Sequence, residues 1–421
     1  MNRTVGVIAE YNPFHKGHSY HLRESKRVSG ADTVIAVMSG DFVQRGEPAL
    51  MDKWTRAEIA VKGGVDLVIE LPVVYACNNA EYFANGAVRL LNGLGCVEYV
   101  SFGSECGDVE ALAEIADIVA EDNMEFNALV REGMSAGLSY PKARQNAVAG
   151  IAGEDKAALM GAPNNILGAE YLKQLRGSGS AIEPVTIKRF GPGPGEADAD
   201  MEMAGACAIR DLFASGKEAD SEKAFRALPS FTRSAVRRYI ESGCRLMFME
   251  DLRQLLIYAV IRGGHEGFSE ILSATEGLEN RMEQAVRRGG DMAGMISAIK
   301  TKRYTETRIK RLLIHTILGL KKGDMAQIYG GGIYGRILAF SPAGRELLGR
   351  VKKAGSASYP LVTNLNKQMA RRKEGADIKR LIEFDIMAAD VYQLASKGNI
   401  KGYYDDKFNP ETKDKKGGKV K

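Results

Sequence analysis

The chain has 421 residues, of which 45% are apolar and 26% are charged, and its formal net charge is +5 at pH 7. This composition is ordinary for a globular protein, and the length predicts about two or three domains with a sizeable core. No apolar stretch reaches the roughly 18 to 20 residues of a membrane span, so we expect no membrane association. The mild positive charge does not by itself indicate a nucleic-acid-binding protein.

Cysteine usage and the N-terminal stretch favour a reducing compartment. The five cysteines are odd in number and form no CxxC pair, which argues against a disulfide framework or a zinc knuckle. The stretch MNRTVGVIAEYN is interrupted by Glu10 and Asn12 and lacks the apolar core of a signal peptide. We therefore expect a cytoplasmic protein.

The first part of the chain alternates short apolar runs with amphipathic segments. Strands rich in Val and Ile are predicted at residues 4–9, 33–38, 66–71 and 97–102. Helices are predicted between them at residues 18–28, 53–62 and 81–91. This alternation favours a Rossmann-like, doubly wound parallel α/β sheet, in which ligands bind outside the carboxyl ends of the strands.

The strand signal fades in the second part of the chain. Residues 191–200, GPGPGEADAD, form a break that we interpret as a mobile active-site loop, although a linker is possible. Helices are predicted at residues 221–227, 233–241, 249–262, 278–288 and 291–300. Residues 327–365 are ambiguous and suggest a small appended α/β element. We expect an α/β domain at 1–210, a mainly α-helical domain at 211–400 and a polar, disordered tail at 401–421.

The first predicted strand runs into the motif EYNPFHKGH at residues 10–18. Pro13 forces a turn where the strand ends, and Gly17 allows a ligand to approach the backbone closely. The helix that follows would point its free N–H groups at the same place. His15 and His18 can both reach the phosphates of a nucleotide, where they would stabilise charge on the α-phosphate and on departing pyrophosphate.

Other interpretations of these histidines stay open. His15 and His18 could be surface residues at the start of a helix. A zinc site is a weaker alternative, since an HxxH pair needs further ligands and the chain shows no HExxH or CxxC partner, so we name no protein metal site. His21, further along the helix, is expected on its surface.

The loop after the second predicted strand, residues 39–49, also suits a ligand-facing role. It contains two glycines, an arginine and Asp41 close together at a strand end. Asp41 is a candidate catalytic residue and a candidate ligand for Mg²⁺. A solvated loop with an internal salt bridge is an equal alternative.

Three later positions complete the candidate nucleotide site. Gly103, at the end of the fourth predicted strand, would let an adenine or a ribose lie against bare backbone. Asn164 and Asn165 can pair with base edges or ribose hydroxyls, although Asn165 could merely cap the following helix. Arg189 offers a bidentate fork for phosphate.

The motif NPFHKGH resembles the HxGH signature of the nucleotidyltransferase superfamily. Together with VMSGDFVQRGEPA, GVDLVIELP, FGSE, PNNILG and TKRYTETRIKRLLIHTILG, in that order, it resembles the bacterial tRNA(Met) cytidine acetate ligase family over most of the chain. The resemblance implies a cytoplasmic enzyme that activates acetate with ATP, releases pyrophosphate and acetylates N4 of the wobble cytidine of elongator tRNA(Met). ATP makes Mg²⁺ an expected cofactor.

The same resemblance assigns roles to the two domains and to individual residues. Residues 1–210 would be the ATP-binding catalytic domain, with His15, His18 and Asp41 as catalytic candidates, and residues 211–400 would bind tRNA. The implied ATP-binding residues are Val7, Ile8, Ala9, Glu10, Tyr11, Asn12, Pro13, Phe14, His15, Lys16, Gly17, His18, Ser19, Tyr20, Gly103, Asn164, Asn165 and Arg189.

The chain departs from the family pattern at two places. The later STxIR-like signature appears here as GACAIR at residues 205–210, which keeps Arg210 but contains no hydroxyl. Residues 160–162, MGA, replace a segment in which a basic residue is common. Both departures put the affinity for the triphosphate in question.

A tRNA substrate requires a basic surface, and residues 300–311 are the best candidate. We expect the tRNA contacts at Lys302, Arg303, Tyr304, Arg308 and Arg311. The arginines suit phosphates, and Tyr304 could stack on a splayed base. A second basic cluster consists of Arg371, Arg372 and Lys373, followed by Lys379 and Arg380. Solvated helix faces are the alternative for both clusters.

Two other functions share parts of this pattern. A small-molecule nucleotidyltransferase would use the same HxGH turn, and a tRNA-binding protein with an inactive nucleotide fold would explain the altered signature at 205–210. The sequence leaves the oligomeric state and the basis of acetate selection open.

Overall fold

The computed structural model describes residues 3–189, 204–275, 277–365 and 375–397. Its centre is a seven-stranded sheet, and a short two-stranded hairpin lies beside it. In chain order the strands are β1 Thr4–Ala9, β2 Thr33–Ser39, β3 Phe42–Val43, β4 Glu47–Pro48, β5 Leu67–Leu71, β6 Tyr99–Ser104, β7 Glu183–Lys188, β8 Gly335–Phe340 and β9 Leu361–Val362.

The order of strands in the large sheet is β7-β6-β1-β2-β5-β8-β9. The pairs from β7 to β5 are all parallel, so the carboxyl ends of these five strands meet at one edge. β8 runs antiparallel to β5, and β9 runs parallel to β8. The predicted parallel α/β sheet is thus confirmed, with a reversal of direction at β8.

The helices of the first part connect the parallel strands. They are α1 Lys16–Ser29, α2 Lys53–Lys62, α3 Val73–Ala76, α4 Ala80–Gly93, α5 Val109–Ile118, α6 Met124–Ser135, α7 Tyr140–Ala152, α8 Glu154–Leu159 and α9 Pro163–Gly177. The bounds of β1 and α2 are those that the apolar spacing predicts. Every other predicted element of this part is present, with ends displaced by a few residues.

Helices dominate the second part, as predicted. They are α10 Ala206–Ala214, α11 Glu218–Ala227, α12 Ser230–Glu241, α13 Arg253–Ser269, α14 Leu278–Arg288, α15 Met292–Ile299, α16 Glu306–Leu318, α17 Lys322–Ile328, α18 Pro342–Ala354 and α19 Ala376–Lys397. None of the helices within the described ranges is both long and apolar enough to cross a membrane.

The sheet separates two apolar clusters. Val5, Val34 and Met38 point to one face, where they pack with residues of α1, α2 and α10–α12. Ile35, Val37 and Ile69 point to the other face, where the core continues through α4, α9 and the helices from α13 onward. Successive strand residues alternate between the two faces, so the helical part of the chain contributes to both sides of the sheet.

The segment 327–365 extends the main sheet and is not a separate appended element. Strands β8 and β9 pair at the β5 edge, and β8 is almost wholly buried. Pairing covers the edge of β5 that would otherwise be open. The sheet therefore draws strands from both sides of residue 210. The division into domains at that residue stays a prediction.

Candidate active site

The turn between β1 and α1 places two imidazole rings at the carboxyl edge of the sheet. The chain leaves β1 after Ala9, passes through Tyr11 at a φ of 46°, and enters α1 with His15 as its N-cap. Nδ1 of His15 accepts a hydrogen bond from the backbone N–H of Gly17 at 3.0 Å, and Nδ1 of His18 accepts one from the backbone N–H of His15 at 3.2 Å.

These backbone bonds determine which ring nitrogen carries the proton. A nitrogen that accepts a hydrogen bond is unprotonated, so the neutral rings of His15 and His18 each carry their proton on Nε2. The two rings are stacked, with centroids 3.8 Å apart. Gly17 is required here because a Cβ at that position would lie 2.8 Å from Cε1 of His15.

Burial keeps both rings neutral. It lowers the pKa of His15 from 6.5 to about 3, with a smaller contribution from the charge of Arg189. Burial also lowers the pKa of His18 well below its ordinary value, and the neighbouring histidines and Arg189 act in the same direction. Within the described ranges neither Nε2 atom bonds to the protein. The turn thus offers two neutral N–H donors.

Gly103 and Arg189 lie together at the ends of the neighbouring strands. The backbone N–H of Arg189 donates to the carbonyl oxygen of Ser104 at 2.9 Å, and a Cβ at Gly103 would lie 3.3 Å from Cγ of Arg189. The Arg189 side chain is exposed, and its charge acts on the histidines of α1. Gly103 and Arg189 thus lie at the same edge of the sheet as His15 and His18.

The side-chain amide of Asn165 is occupied by hydrogen bonds within the protein. Its Oδ1 accepts from the backbone N–H groups of Glu105 and Cys106 at 2.9 and 3.2 Å, and its Nδ2 donates to the carbonyl oxygen of Leu159 at 3.1 Å. The idea that Asn165 caps its own helix is wrong. The carboxylate of Glu105 accepts from the backbone N–H groups at the start of α9 instead, which joins the loop after β6 to that helix.

Asn164 lies beside the same loop with a less occupied side chain. Its Nδ2 donates to Oε1 of Glu105 at 2.6 Å, which orients the amide. Its side chain is half-buried, and within the described ranges its Oδ1 accepts no hydrogen bond. Of the two asparagines, Asn164 is the one with an atom available to a ligand.

The structure does not bring Asp41 to the histidine pair. Its carboxylate is buried and accepts from the backbone N–H of Lys53 at 2.8 Å, at the start of α2. Burial raises its pKa to about 7, partly offset by Lys53, while Glu70 raises it further. The sequence prediction treats Asp41 as a ligand-facing residue, and these contacts contradict it. An acid next to glycines in a loop looks ligand-facing until its burial is known.

Arg56 is a buried residue that sequence reasoning missed. Its Nη1 donates to the carbonyl oxygens of Glu10 and Ser39 at 2.7 and 3.1 Å, and its Nη2 donates to that of Gly40. Arg56 thereby joins the chain segments that leave β1 and β2. The one sequence signal for this role is an arginine on the apolar face of α2.

Asn12 and Arg210 connect the histidine turn to the second part of the chain. Oδ1 of Asn12 accepts from the backbone N–H of Leu50 at 2.7 Å and from Nη1 of Arg210 at 2.9 Å. Arg210 is the residue retained in the altered GACAIR segment. Arg210 is buried here, and its hydrogen bond to Asn12 holds the turn in place.

The prediction that His21 is a surface residue is wrong. Its side chain is half-buried, and its Nε2 lies 3.3 Å from Oγ of Ser101 in β6. Burial lowers its pKa to about 4, and Arg189 contributes in the same direction. The residue faces the sheet because α1 packs on β6 along the helix face that carries His15 and His18.

The basic residues of α16 point largely into the protein. Tyr304 is only 6% exposed, and the guanidinium of Arg308 lies 4.9 Å from the centre of its ring, so the ring is not open to a base. Nη1 of Arg311 donates to the carbonyl oxygen of Gln44 at 3.1 Å, and burial lowers the pKa of Arg311 to about 10. Nζ of Lys310 lies 2.6 Å from Oε1 of Glu47.

The other predicted tRNA contacts are nearer to solvent. Lys302 is exposed and Arg303 is half-buried in the segment that precedes α16. Of the second basic cluster, residues 371–373 lie outside the described residues, and Arg380 forms ion pairs with Asp324 and Glu383 at 2.8 and 3.0 Å.

A parallel sheet whose first strand ends in an HxGH turn, with an exposed arginine directly after β7, is the arrangement of a nucleotidyltransferase-type nucleotide-binding protein. Residues 1–406 match the family model described as HIGH Nucleotidyl Transferase. A tRNA(Met) cytidine acetate ligase of Caldanaerobacter subterraneus subsp. tengcongensis is 40% identical over 398 residues, which cover 93% of this chain and 95% of that protein. Another, from Acetivibrio thermocellus, is 38% identical over 400 residues, with 94% and 95% covered.

A solved structure gives the same result for the fold. Thermotoga maritima TmcAL, crystallised with alpha-thio ATP, matches with a TM-score of 0.89 at 34% identity, covering 97% of this chain and 99% of that chain. The chain therefore belongs to the HIGH Nucleotidyl Transferase family and, within it, to the tRNA(Met) cytidine acetate ligases. The resemblance seen in the sequence motifs is confirmed.

Proposed function

We propose that this protein is an ATP-dependent ligase that activates acetate as acetyl-adenylate and transfers the acetyl group to N4 of the wobble cytidine of elongator tRNA(Met). The observation that carries the proposal is the His15–His18 pair, whose Nδ1 atoms are occupied by backbone donors and whose Nε2–H groups are free of described partners. Relatives named for this activity align with nearly the whole chain.

In the first step an acetate oxygen attacks the α-phosphorus of ATP. The bond between that phosphorus and the bridging oxygen breaks, and pyrophosphate leaves with the electron pair. Negative charge grows on the phosphate oxygens, and the Nε2–H groups of His15 and His18 donate to it. A preorganised donor of this kind contributes about 10²- to 10³-fold to the rate. Arg189 holds a phosphate, and positioning of acetate in line supplies much of the remainder.

In the second step the N4 amine of cytidine attacks the acetyl carbonyl carbon. The bond from this carbon to the adenylate oxygen breaks, AMP leaves, and the nitrogen loses one proton. This proton passes to water. Lys302 and Arg303 are proposed contacts to tRNA phosphates, and Lys302 is the exposed member of the pair.

The ATP site is proposed to comprise residues 7–20 with Gly103, Asn164 and Arg189. The histidine turn and the Arg189 side chain would hold the triphosphate, and Gly103 would face the ribose or the base. Asn165 acts by holding the loop after β6 in place. The proposed compartment is the cytoplasm, where ATP, acetate and tRNA occur together.

Mg²⁺ is proposed to enter with ATP, bound mainly by phosphates and water, as is usual for this ion. Asp41 does not fit a direct ligand, since its carboxylate is buried against the start of α2. In the part of the chain that the structure describes, no three His, Cys, Asp or Glu side chains form a metal-ligating group.

The test combines the protein, ATP with Mg²⁺, radiolabelled acetate and elongator tRNA(Met) that lacks this one modification. We expect label on the wobble cytidine and acetate-dependent exchange of pyrophosphate into ATP. Exchange that depends on a phosphorylated metabolite instead would indicate a small-molecule nucleotidyltransferase. Binding of tRNA by folded protein without exchange or label would indicate an inactive binding protein.

A further inference from the structure

Three polar side chains between α1 and β6 form a chain of hydrogen bonds that begins and ends at His21. Oγ of Ser25 donates to the backbone carbonyl oxygen of His21 at 2.7 Å. The same Oγ lies 2.7 Å from Oγ of Ser101, which in turn lies 3.3 Å from Nε2 of His21. Each serine hydroxyl has one hydrogen, so the direction of every bond in this chain can be assigned.

The assignment follows from Ser25. Since Ser25 uses its hydrogen on the carbonyl oxygen of His21, it must accept the hydrogen of Ser101. Ser101 then has no hydrogen left for the imidazole and must accept from Nε2–H of His21. The neutral ring of His21 therefore carries its proton on Nε2, and its Nδ1 is an unprotonated acceptor.

Within the described ranges no donor reaches that Nδ1 atom. The side chain is half-buried, and the charge of Arg189 acts on the ring. His15 and His18 present N–H donors to the site, whereas His21 presents a lone pair. This difference in hydrogen-bonding role separates His21 from the other two histidines.

The position of His21 indicates which part of a nucleotide meets this acceptor. His21 lies three residues beyond His18, about 4.5 Å further along the helix axis. Its partner Ser101 precedes Gly103 by two residues on β6, so both lie on the same face of the sheet. His21 and Gly103 therefore lie on the same side of the sheet as the histidine pair.

We propose that Nδ1 of His21 accepts a hydrogen bond from a ribose hydroxyl of bound ATP. The triphosphate has no donor at neutral pH, which leaves the two ribose hydroxyls and the N6 amine of adenine. The ribose is joined directly to the α-phosphate that His15 and His18 hold, whereas N6 lies across the purine. The inference rests on the ATP site of the proposed function but does not require acetyl transfer.

Equilibrium binding tests this assignment with ATP, 2′-deoxy-ATP, 3′-deoxy-ATP and the triphosphate of purine riboside, which lacks N6. We expect wild-type protein to bind one deoxy analogue about 3- to 10-fold more weakly than ATP, the range of one neutral hydrogen bond. His21→Ala should weaken ATP by the same factor and show no further loss with that analogue. His21→Gln, which retains an amide donor for Ser101 and an oxygen acceptor, should restore part of the difference.

A second measurement uses the wild-type protein and does not depend on how the variants fold. The chain has five histidines, so ¹⁵N spectra of histidine-labelled protein are simple to assign. The Nδ1 resonance of His21 should move when ATP binds and should move less with the deoxy analogue that fails to bind tightly. Equal losses of all analogues in His21→Ala, or an unmoved Nδ1 resonance, would overturn the proposal.

Two outcomes separate this inference from the function itself. If His21→Ala weakens the binding of both deoxy analogues but not that of purine riboside triphosphate, the ribose assignment is overturned. ATP binding with the expected coupling but without acetyl transfer to tRNA would support the role of His21 and contradict the proposed ligase activity.

Discussion

The histidine turn at residues 10–18 and the basic helix α16 both look like ligand-binding segments in the sequence, but the structure treats them differently. In the turn, backbone N–H groups occupy the Nδ1 atoms of His15 and His18 and leave the Nε2–H groups available. In α16, Lys310 and Arg311 bond to the loop around β3 and β4.

This comparison shows which kind of sequence motif predicts ligand-binding residues reliably without a structure. The hydrogen bonds that orient the two imidazoles lie within the turn, since the backbone N–H groups of Gly17 and His15 bind the Nδ1 atoms of His15 and His18. In the basic helix, by contrast, Lys310 and Arg311 bond to Glu47 and Gln44, which lie more than 200 residues away in the chain. Residue type alone cannot tell a solvent-facing cation from one that neutralises a distant carboxylate.

The largest expected effect concerns the histidine turn. His15→Ala and His18→Ala each remove a preorganised donor, and each should lower acetate-dependent pyrophosphate exchange by about 10²- to 10³-fold. The affinity for tRNA should change little because the rings lie at the ATP end of the sheet. Exchange kinetics and tRNA binding by filter retention or fluorescence anisotropy would measure the two effects.

His21→Ala provides the matched control for these variants, since it removes a third imidazole from the same helix face. Its exchange rate at saturating ATP should fall much less than that of His15→Ala. If all three variants lose the same activity, the distinction between donors and an acceptor is wrong. If His15→Ala and His18→Ala stay fully active, the phosphate role assigned to the turn is wrong.

The extent of prediction from sequence follows the same division. The strands and helices of the first part were predictable because buried parallel strands are continuous Val- and Ile-rich runs and the helices have one apolar face. The place of β8 beside β5 was not, because antiparallel pairing across more than 260 residues leaves no local pattern. Asp41, His21 and Tyr304 were misjudged for one common reason, namely that burial depends on elements remote in sequence.

The second-largest expected effect is the loss of folding stability when Arg311 is replaced. Arg311→Ala should lower the free energy of unfolding by about 1–3 kcal/mol, because it leaves the carbonyl oxygen of Gln44 without its partner. The helix lies tightly against the hairpin at Gly46, whose φ is 78° and where an added Cβ would meet the backbone of Arg311. Urea unfolding would measure the loss, and tRNA affinity should change no more than stability explains.

Arg311→Met tests whether the charge itself has a function. A long apolar side chain removes the charge and keeps most of the packing, so its stability should lie between that of wild type and Arg311→Ala. A large loss of tRNA affinity in a stable Arg311→Met protein would mean that this cation contacts RNA after all. The histidine turn and α16 would then both be ligand-binding segments.

The third effect is a pH dependence that arises in the turn. The pKa of His15 is about 3 in the folded protein and about 6.5 in the unfolded chain, so the unfolded chain binds the extra proton as pH falls below 6.5. Proton binding to His15 therefore does not affect the free energy of unfolding above pH 6.5. Between pH 6.5 and pH 3 it lowers that free energy by about 1.4 kcal/mol for each pH unit that the pH falls. Asp41, with its pKa raised to about 7, changes stability in the opposite direction.

Comparison with His15→Gln isolates the contribution of His15, because the effect of Asp41 is common to both proteins. Urea unfolding at pH 7, 6 and 5 should show wild type losing stability relative to His15→Gln as pH falls. Equal pH slopes would show that the ring is solvated and protonates normally. The geometry of the turn would then fail to explain its neutral donors.

The smallest expected effect belongs to the exposed part of the basic segment. Lys302→Ala should weaken tRNA binding by a few-fold and reduce the slope of log affinity against log salt concentration by about 1, the value for one lost phosphate contact. Tyr304→Phe should leave both quantities unchanged, since the ring is buried beneath Arg308 and its face is not open to a base. A salt titration of tRNA binding with both variants provides the measurement. An unchanged slope in Lys302→Ala would place the tRNA on another surface, and the basic segment would then be a structural feature along its whole length.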